Sequence, residues 1–392
     1  MKIGVIGAGR LGICFALLCE QAGHEVLVSD IREDYIDDLN RKKIKTNEPE
    51  VEYLLGKSKN LRATVDNRQV IRECEMIYTL VPTPSLPHGA YDVSAVWKVV
   101  NDIKEEMETV ANHPKVFVVG CTTNPGDCDE FRKALPRSVN VIYNPEFIAQ
   151  GSIIHDLRHA DMVLIGHCVE WNNFYIEGVI KNIIKLYEKI QVTRVIPCVV
   201  SLKGAEVTKI AVNCFLTMKI SYANMLGDTL HRAGCGDEVS AILTAIGNDT
   251  RIGRKYLNWG VGYGGPCLPR DNRAFAAFAQ QLGMKHNLGH TTDEINNEHA
   301  RFMCEYWESI NYDKVAFYFD YISYKKGTDI LEESQQFRLC TNLLDKGYKV
   351  YIHDNKLITD QVYDKMLKKY GDKVNFVDDK DNITEPICMV TL

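Results

Sequence analysis

The chain has 392 residues, enough for two or three hydrophobic cores rather than one. Its 46 Lys and Arg against 52 Asp and Glu leave a net charge of −6 with no basic block, which argues against a nucleic-acid binder and requires any phosphate to be held locally. Thirteen cysteines, odd in number and without CxxC pairs, argue against a secreted disulfide framework and for a reducing, cytoplasmic compartment, and no apolar run reaches the roughly 18 residues that would span a membrane.

Short apolar strands alternate with helical patterns from the first residue. They read KIGVIG, EVLVSD, EMIYTLVPTP, KVFVVGCTT, VNVIYNPEF and MVLIGH, with amphipathic helices such as SAVWKVVNDIKEEMETV (94–110) between most of them. That alternation predicts a parallel, doubly wound sheet. The start, MKIGVIGAGRLG, carries glycines at phosphate-loop spacing and no following small-residue cleavage site, so it reads as mature fold rather than as a leader. A long helical tract follows from 202, with Gly234 and Gly236 marking its end, and shorter helices continue to about 310. Strand and helix signals then resume with KVAFYFDYI, KVYIHD, VNFVDD and a final ICMVTL. The expectation is an α/β protein of two Rossmann-like doubly wound domains, 1–200 and 311–392, joined by a central helical segment, 201–310, that contains the long helix.

The first chemical motif is GVIGAGRLG, in which Gly7, Gly9 and Gly12 match GxGxxG between a predicted strand and a predicted helix. Gly7 permits the tight turn, Gly9 lets a pyrophosphate approach the backbone, and Gly12 allows the helix to pack close. The helix then presents its positive end to the phosphates. Asp30 ends the next strand, where a carboxylate accepts both ribose hydroxyls and repels a 2′-phosphate; this favours NAD over NADP, with Arg32 close by as the qualifying charge.

The second is GVGYGGPCLPRD, residues 260–271, which sets Cys267 behind four glycines and between Pro266 and Pro269. Glycines let the backbone crowd a ligand, and the prolines restrict where the thiol points. A nucleophilic thiol wants a nearby cation, and Lys209 in EVTKIAVNCF shares a helix face with Asn213, four residues on. Alone, such a pair is more often a solvated helix edge, and a cysteine among thirteen more often inert core. The joint pattern separates these residues from that background.

That pattern resembles the UDP-glucose/GDP-mannose dehydrogenase family over nearly the whole chain, most closely its UDP-glucose 6-dehydrogenase branch. The residues that carry it are the fingerprint at Gly7 to Gly12, VPTP with Thr83, GAYDVSAV with Asp92, CTTNPG with Thr122, NPEF with Glu146, AEVTKIAVNCF with Lys209 and Asn213, RIGRKYL with Arg251, and GYGGPCLPRD with Cys267 and Asp271. The resemblance implies a four-electron oxidation in which the C6 alcohol of a nucleotide sugar becomes a carboxylate and two NAD+ are reduced. It implies that Lys209, Asn213 and a water near Asp271 assist removal of the hydroxyl proton, and that Cys267 then attacks the aldehyde. The thiohemiacetal is oxidised to a thioester, which water opens with Glu146, Thr122 or Asp271 as positioning groups or base. Substrate would be UDP-glucose first, a UDP-N-acetylhexosamine such as UDP-N-acetylglucosamine or UDP-N-acetylmannosamine second.

By the same resemblance Arg10, Leu11, Thr83, Thr122 and Arg270 would join the fingerprint and Asp30 around NAD. Phe147, Arg251, Tyr256, Gly262, Gly264 and Lys325 would join Glu146, Lys209 and Asn213 around the nucleotide sugar, with Arg251 reaching across a subunit boundary. The domain at 1–200 would bind NAD, the centre at 201–310 would dimerise and carry active-site residues, and 311–392 would bind the nucleotide sugar. The active site would lie in a cleft between the two α/β domains, and the assembly would be a homodimer or higher oligomer with no metal, nucleic acid or membrane partner.

The chain also departs from the family pattern. Gln150 stands where many members carry an acid, and YKKGTDILEES keeps Lys325, Thr328, Asp329 and Ser334 but places Ile330 and Glu332 where an acid and a substrate-facing arginine are usual. Lys325, Lys326 or Gln335 is the expected replacement for that arginine. The last strand reads as the abbreviated edge of the small domain. Two other classes compete: a two-electron hydroxyacid-type dehydrogenase, which needs no thiol, and a non-catalytic nucleotide-sugar-binding protein.

Overall fold

The structure is a computed structural model that describes residues 1–109, 114–168 and 174–391. The end of the expected helix at Val110 and the terminal Leu392 lie outside the described residues. The chain divides into two compact units, Met1–Ile210 and Ala211–Leu392. The long helix Leu202–Arg232, 31 residues, begins in the first and ends in the second.

The first unit is built on strands β1 (Lys2–Ile6), β2 (Glu25–Ser29), β3 (Leu61–Thr64), β4 (Met76–Thr79), β5 (Lys115–Val119), β6 (Val139–Tyr143), β7 (Val163–His167) and β8 (Pro197–Ser201). They form one sheet in the order β3-β2-β1-β4-β5-β6-β7-β8, so the chain winds outward from β1 in both directions. The central strands are apolar along their whole length because helices cover both faces. Ile3, Val5, Met76 and Tyr78 point to one core with the helices Arg10–Gln21 and Phe174–Ile190, whereas Ile6, Ile77, Phe117 and Val119 point to the other with the helices Ser94–Thr109 and Asp127–Ala134. This is the period of two expected of strands.

One pairing differs from the parallel expectation: β7 runs antiparallel to β6, with Tyr143 opposite Gly166. The helix between them, Ile153–Arg158, has 6 residues. At 1.5 Å per residue it is about 9 Å long, too short to carry the chain back along a strand of about 16 Å. The chain therefore re-enters the sheet from the edge at which β6 leaves it.

The second unit carries β9 (Ala316–Phe319), β10 (Val350–Ile352), β11 (Val374–Phe376) and β12 (Ile387–Val390), all parallel in the order β11-β10-β9-β12. Its core joins Phe317, Phe319 and Ile352 of this sheet to Phe302 and Trp307 of the helix Leu288–Ile310, Leu343 of Gln335–Asp345 and Ile358 of Lys356–Tyr370.

Candidate functional site

In the first unit the sheet order does the gathering. Gly7 follows β1, Asp30 follows β2, Thr83 lies beyond β4, Thr122 beyond β5 and Glu146 beyond β6, and these strands are successive neighbours in the order β2-β1-β4-β5-β6. All five residues therefore follow the carboxyl ends of five neighbouring parallel strands, the edge where open α/β folds bind ligands.

The glycines are demanded by what surrounds them. Gly7 has φ +97° and donates its N–H to Ser29 O at 2.8 Å. A Cβ on Gly12 would stand 2.0 Å from the Gly7 carbonyl oxygen, so helix and turn touch backbone to backbone. Gly9, which caps the helix Arg10–Gln21, has nothing within 4 Å of its Cβ direction. Close packing on one side and open space at the helix N-terminus on the other fit a bound pyrophosphate. Arg10 is exposed and Leu11 half-buried beside it, and Thr83 is buried.

Asp30 accepts from Arg32 Nε at 2.8 Å and Nη2 at 2.9 Å, and Arg32 lies 4.1 Å from the centre of the Tyr35 ring. Burial opposes ionisation of Asp30, but the Arg32 bonds outweigh it and hold the carboxyl below the usual range. Each carboxylate oxygen accepts more than one hydrogen bond, so capacity for ribose hydroxyls remains.

At the other end of this edge, Lys209 Nζ donates to the Glu146 carbonyl oxygen at 2.7 Å and stands 4.7 Å from the centre of the Phe147 ring. The Glu146 carboxyl receives the hydroxyl of Tyr187, which also lies 3.0 Å from Asn144 Oδ1. Burial pushes Glu146 up to about 7, against the pull of Tyr187 and Lys209. Tyr187 was not legible in advance, since it acts from 41 residues away, on the helix Phe174–Ile190.

Glu206 was missed as well. One turn before Lys209, it accepts from Thr123 Oγ1 at 2.8 Å, Gly126 N at 2.6 Å and Cys128 N at 2.9 Å. A side chain from the long helix thus satisfies the N-terminal amides of Asp127–Ala134, whose own cap residue, Gly126, has no side chain to do it. Burial pushes Glu206 up to about 7, opposed by these donors.

In the second unit Asn213 Nδ2 donates to Asp271 Oδ2 at 2.5 Å, which joins the long helix to Leu268–Gln281. Cys267 is the N-cap of that helix, its carbonyl accepting Asp271 N at 2.9 Å, with Pro269 in the first turn. None of the thirteen cysteines forms a disulfide, and Cys267 is the exposed one. Burial pushes Cys14, Cys121 and Cys214 up to about 12.

Ahead of Cys267, the loop from Gly260 to Gly265 is gripped by side chains that motif reading did not single out. Asn224 Oδ1 accepts Gly260 N at 3.1 Å while its Nδ2 donates to Val261 O at 3.3 Å. Asn296 accepts Tyr263 N and donates to Tyr263 O, both at 3.0 Å. Gly264 backs onto the chain at Glu333, whose carbonyl oxygen would lie 2.3 Å from an added Cβ.

The remaining expected residues are more loosely placed. Arg251 is 86 % exposed at its side chain and bonded to Asp249 at 2.6 Å, Tyr256 is half exposed at φ +61°, and Lys325 is exposed. Arg270 and Gln150 are half-buried. Glu332 is exposed, and Ile330 accepts Tyr324 N through its carbonyl at 2.9 Å. Among the described residues no cluster of three or more metal-ligating side chains occurs, and no helix is long and apolar enough to cross a membrane.

A doubly wound sheet with this cradle at its carboxyl edge is the framework of an NAD-dependent dehydrogenase. The chain belongs to the UDP-glucose/GDP-mannose dehydrogenase family, whose NAD binding domain matches residues 1–191 and whose central domain matches residues 203–298. The UDP-glucose 6-dehydrogenase of Rhizobium meliloti (strain 1021) is 28% identical over 368 residues, covering 90% of this chain and 81% of the relative. A UDP-glucose dehydrogenase from the hyperthermophilic archaeon Pyrobaculum islandicum aligns with a TM-score of 0.84 at 25% identity, over 99% of this chain and 89% of that one. A UDP-D-ManNAc dehydrogenase from Pyrococcus horikoshii shares the fold, with a TM-score of 0.74 at 22% identity over 90% and 83% of the two chains.

Proposed function

We propose that this protein oxidises the C6 hydroxyl of a UDP-sugar, UDP-glucose foremost, to the carboxylate by way of a covalent adduct on Cys267. The observation that carries this reading is the setting of Cys267. It is the exposed thiol, at a helix N-terminus that favours an anion, and one turn from an Asp271 already bonded to Asn213.

NAD+, held by Gly7, Gly9, Gly12, Asp30 and Thr83, supplies the hydride acceptor for both oxidations. Asp271, by way of a water held near it, takes up the hydroxyl proton as the alcohol becomes an aldehyde, with Lys209 and Asn213 assisting as hydrogen-bond donors. The Cys267 sulfur then bonds to C6, the carbonyl π pair moves to oxygen, and Lys209 and Asn213 stabilise that oxyanion with donors already in place. The thiohemiacetal keeps one C–H bond, and its oxidation leaves a thioester. Glu146, ionised in part near neutral pH, deprotonates the attacking water with Thr122 beside it, and the C–S bond breaks to return the thiol.

The three-part division at 1–200, 201–310 and 311–392 is part of the same proposal, the first segment binding NAD and the last the nucleotide sugar, with Arg251, Tyr256, Phe147, Arg270 and Lys325 as binding residues. A homodimer is supported by the long helix, where Phe215, Tyr222 and Met225 are exposed and, with the half-buried Met218, repeat at heptad spacing. Thirteen cysteines, none of them in a disulfide, support a reducing, cytoplasmic compartment.

The test is NADH formation with UDP-glucose, UDP-N-acetylglucosamine and UDP-N-acetylmannosamine, each with NAD+ in excess. Turnover with UDP-glucose at least about tenfold more efficient than with either amino sugar supports the reading. A preference for an amino sugar moves the substrate assignment, and binding without turnover overturns the activity.

A further inference from the structure

The three side chains that hold the glycine loop differ in kind. Asn224 and Asn296 are neutral amides, whereas the third, His299, is ionisable and stands 2% exposed on the helix Leu288–Ile310. His299 Nε2 lies 2.6 Å from the Gly260 carbonyl oxygen. A carbonyl oxygen only accepts, so this nitrogen carries a hydrogen. His299 Nδ1 lies 3.0 and 2.9 Å from the two carboxyl oxygens of Asp228 on the long helix. A carboxylate also only accepts, so a hydrogen bond there needs a second proton. Trp259 Nε1 donates to Asp228 Oδ1 at 2.8 Å, which helps keep the negative charge on the carboxylate and the proton on the ring.

We propose that His299 is an imidazolium paired with Asp228, and that this buried pair is a positioning device that fixes the Gly260 carbonyl and with it the loop leading to Cys267. The kinetic consequence rests on the proposed role of that loop at the substrate; the protonation does not. Other titratable or charged groups around the pair are His231 and Arg232 on the long helix and Tyr306 on the helix of His299. The His231 ring is 4.6 Å from the Trp259 ring, Arg232 is 5.3 Å from the Phe302 ring that stacks with His299, and Tyr306 closes the same aromatic cluster.

A ring lacking the second proton would set a bare nitrogen lone pair against a buried carboxylate and push away the loop's anchor at Gly260.

Asp228→Asn is the discriminating variant. Its amide nitrogen donates to Nδ1 and its oxygen still accepts from Trp259, so a neutral His299 keeps the Gly260 bond without the extra proton. Nitrogen-15 NMR of histidine-labelled protein at about pH 7.5, with the His299 signal identified by its loss in His299→Gln, reads the ring directly. The native protein shows both His299 nitrogens protonated, and Asp228→Asn shows one. At the same pH His299→Gln, which cannot bridge Asp228 and Gly260 as a cation, raises the KM for the nucleotide sugar at least about threefold over that of the native protein. A singly protonated ring in the native protein overturns the proposal, whatever the variants do, and needs no variant to fold beyond the one used for assignment. A doubly protonated ring without any difference in KM overturns the positioning role alone and counts against the loop as a substrate contact, so the two readings fail separately.

Discussion

Two glycine-rich segments serve the two units by opposite means. The cradle at Gly7–Gly12 is held by backbone against backbone: the helix rests on the Gly7 carbonyl, and the turn bonds to Ser29 in the neighbouring strand. The loop at Gly260–Gly265 is instead held by Asn224, Asn296 and His299, side chains reaching in from two helices. The first is shaped by sheet packing and tolerates no added atom at Gly12. The second takes its shape from polar partners, so its position is tunable by single side chains.

The largest expected effect separates space from contact within the cradle. Gly12→Ala forces a Cβ against the Gly7 carbonyl and costs on the order of 3 kcal/mol or more of stability, measured by denaturant melts. Gly9→Ala meets nothing, so its stability stays within about 0.5 kcal/mol of native. Its NAD affinity falls at least about tenfold in titration, since the methyl fills the approach to the pyrophosphate. Equal stability losses in the two variants would break the distinction.

Next comes the side-chain-held loop. Asn296→Ala strands the N–H and C=O of the buried Tyr263 and costs about 2 to 3 kcal/mol, with turnover reduced and NAD binding by the first unit unchanged. A variant that melts like native protein would show the loop to be held otherwise.

The smallest effect is a matter of pH. The Glu146 carboxyl is pushed up to about 7, so as a base it gains activity as pH rises toward that value and levels off above it. Glu146→Gln should flatten that limb in a pH–rate profile. The folded protein also binds more protons here than the unfolded chain between about pH 4.3 and 7, so this group's contribution to stability falls as pH rises across that window, and the amide variant removes the slope.

The contrast between the segments also explains what the sequence disclosed. Gly7, Gly9, Gly12 and Asp30 act through neighbours in one strand–turn–helix unit, and the structure gathers them as their spacing implies. Lys209 and Asn213 were singled out by the joint pattern of motifs rather than by their four-residue spacing alone, and Asn213 meets Asp271. Asn224, Asn296 and His299 were not, because each grips a loop 33 to 39 residues away and has no local pattern to mark it. Glu206 caps a helix 80 residues distant from the position where a cap residue is ordinarily sought. The reversal of β7 was hidden too, since strand patterns carry no direction and only the shortness of the helix before it hints at the turn.

The most direct test of the central claim is the amount of NADH formed per molecule of UDP-glucose consumed, with the sugar limiting, in the native protein and in Cys267→Ser. The account predicts two NADH per sugar for the native protein and a sharp fall in both yield and rate for the variant. One NADH per sugar, the same with and without the thiol, would contradict it and leave a simple alcohol dehydrogenase on this fold.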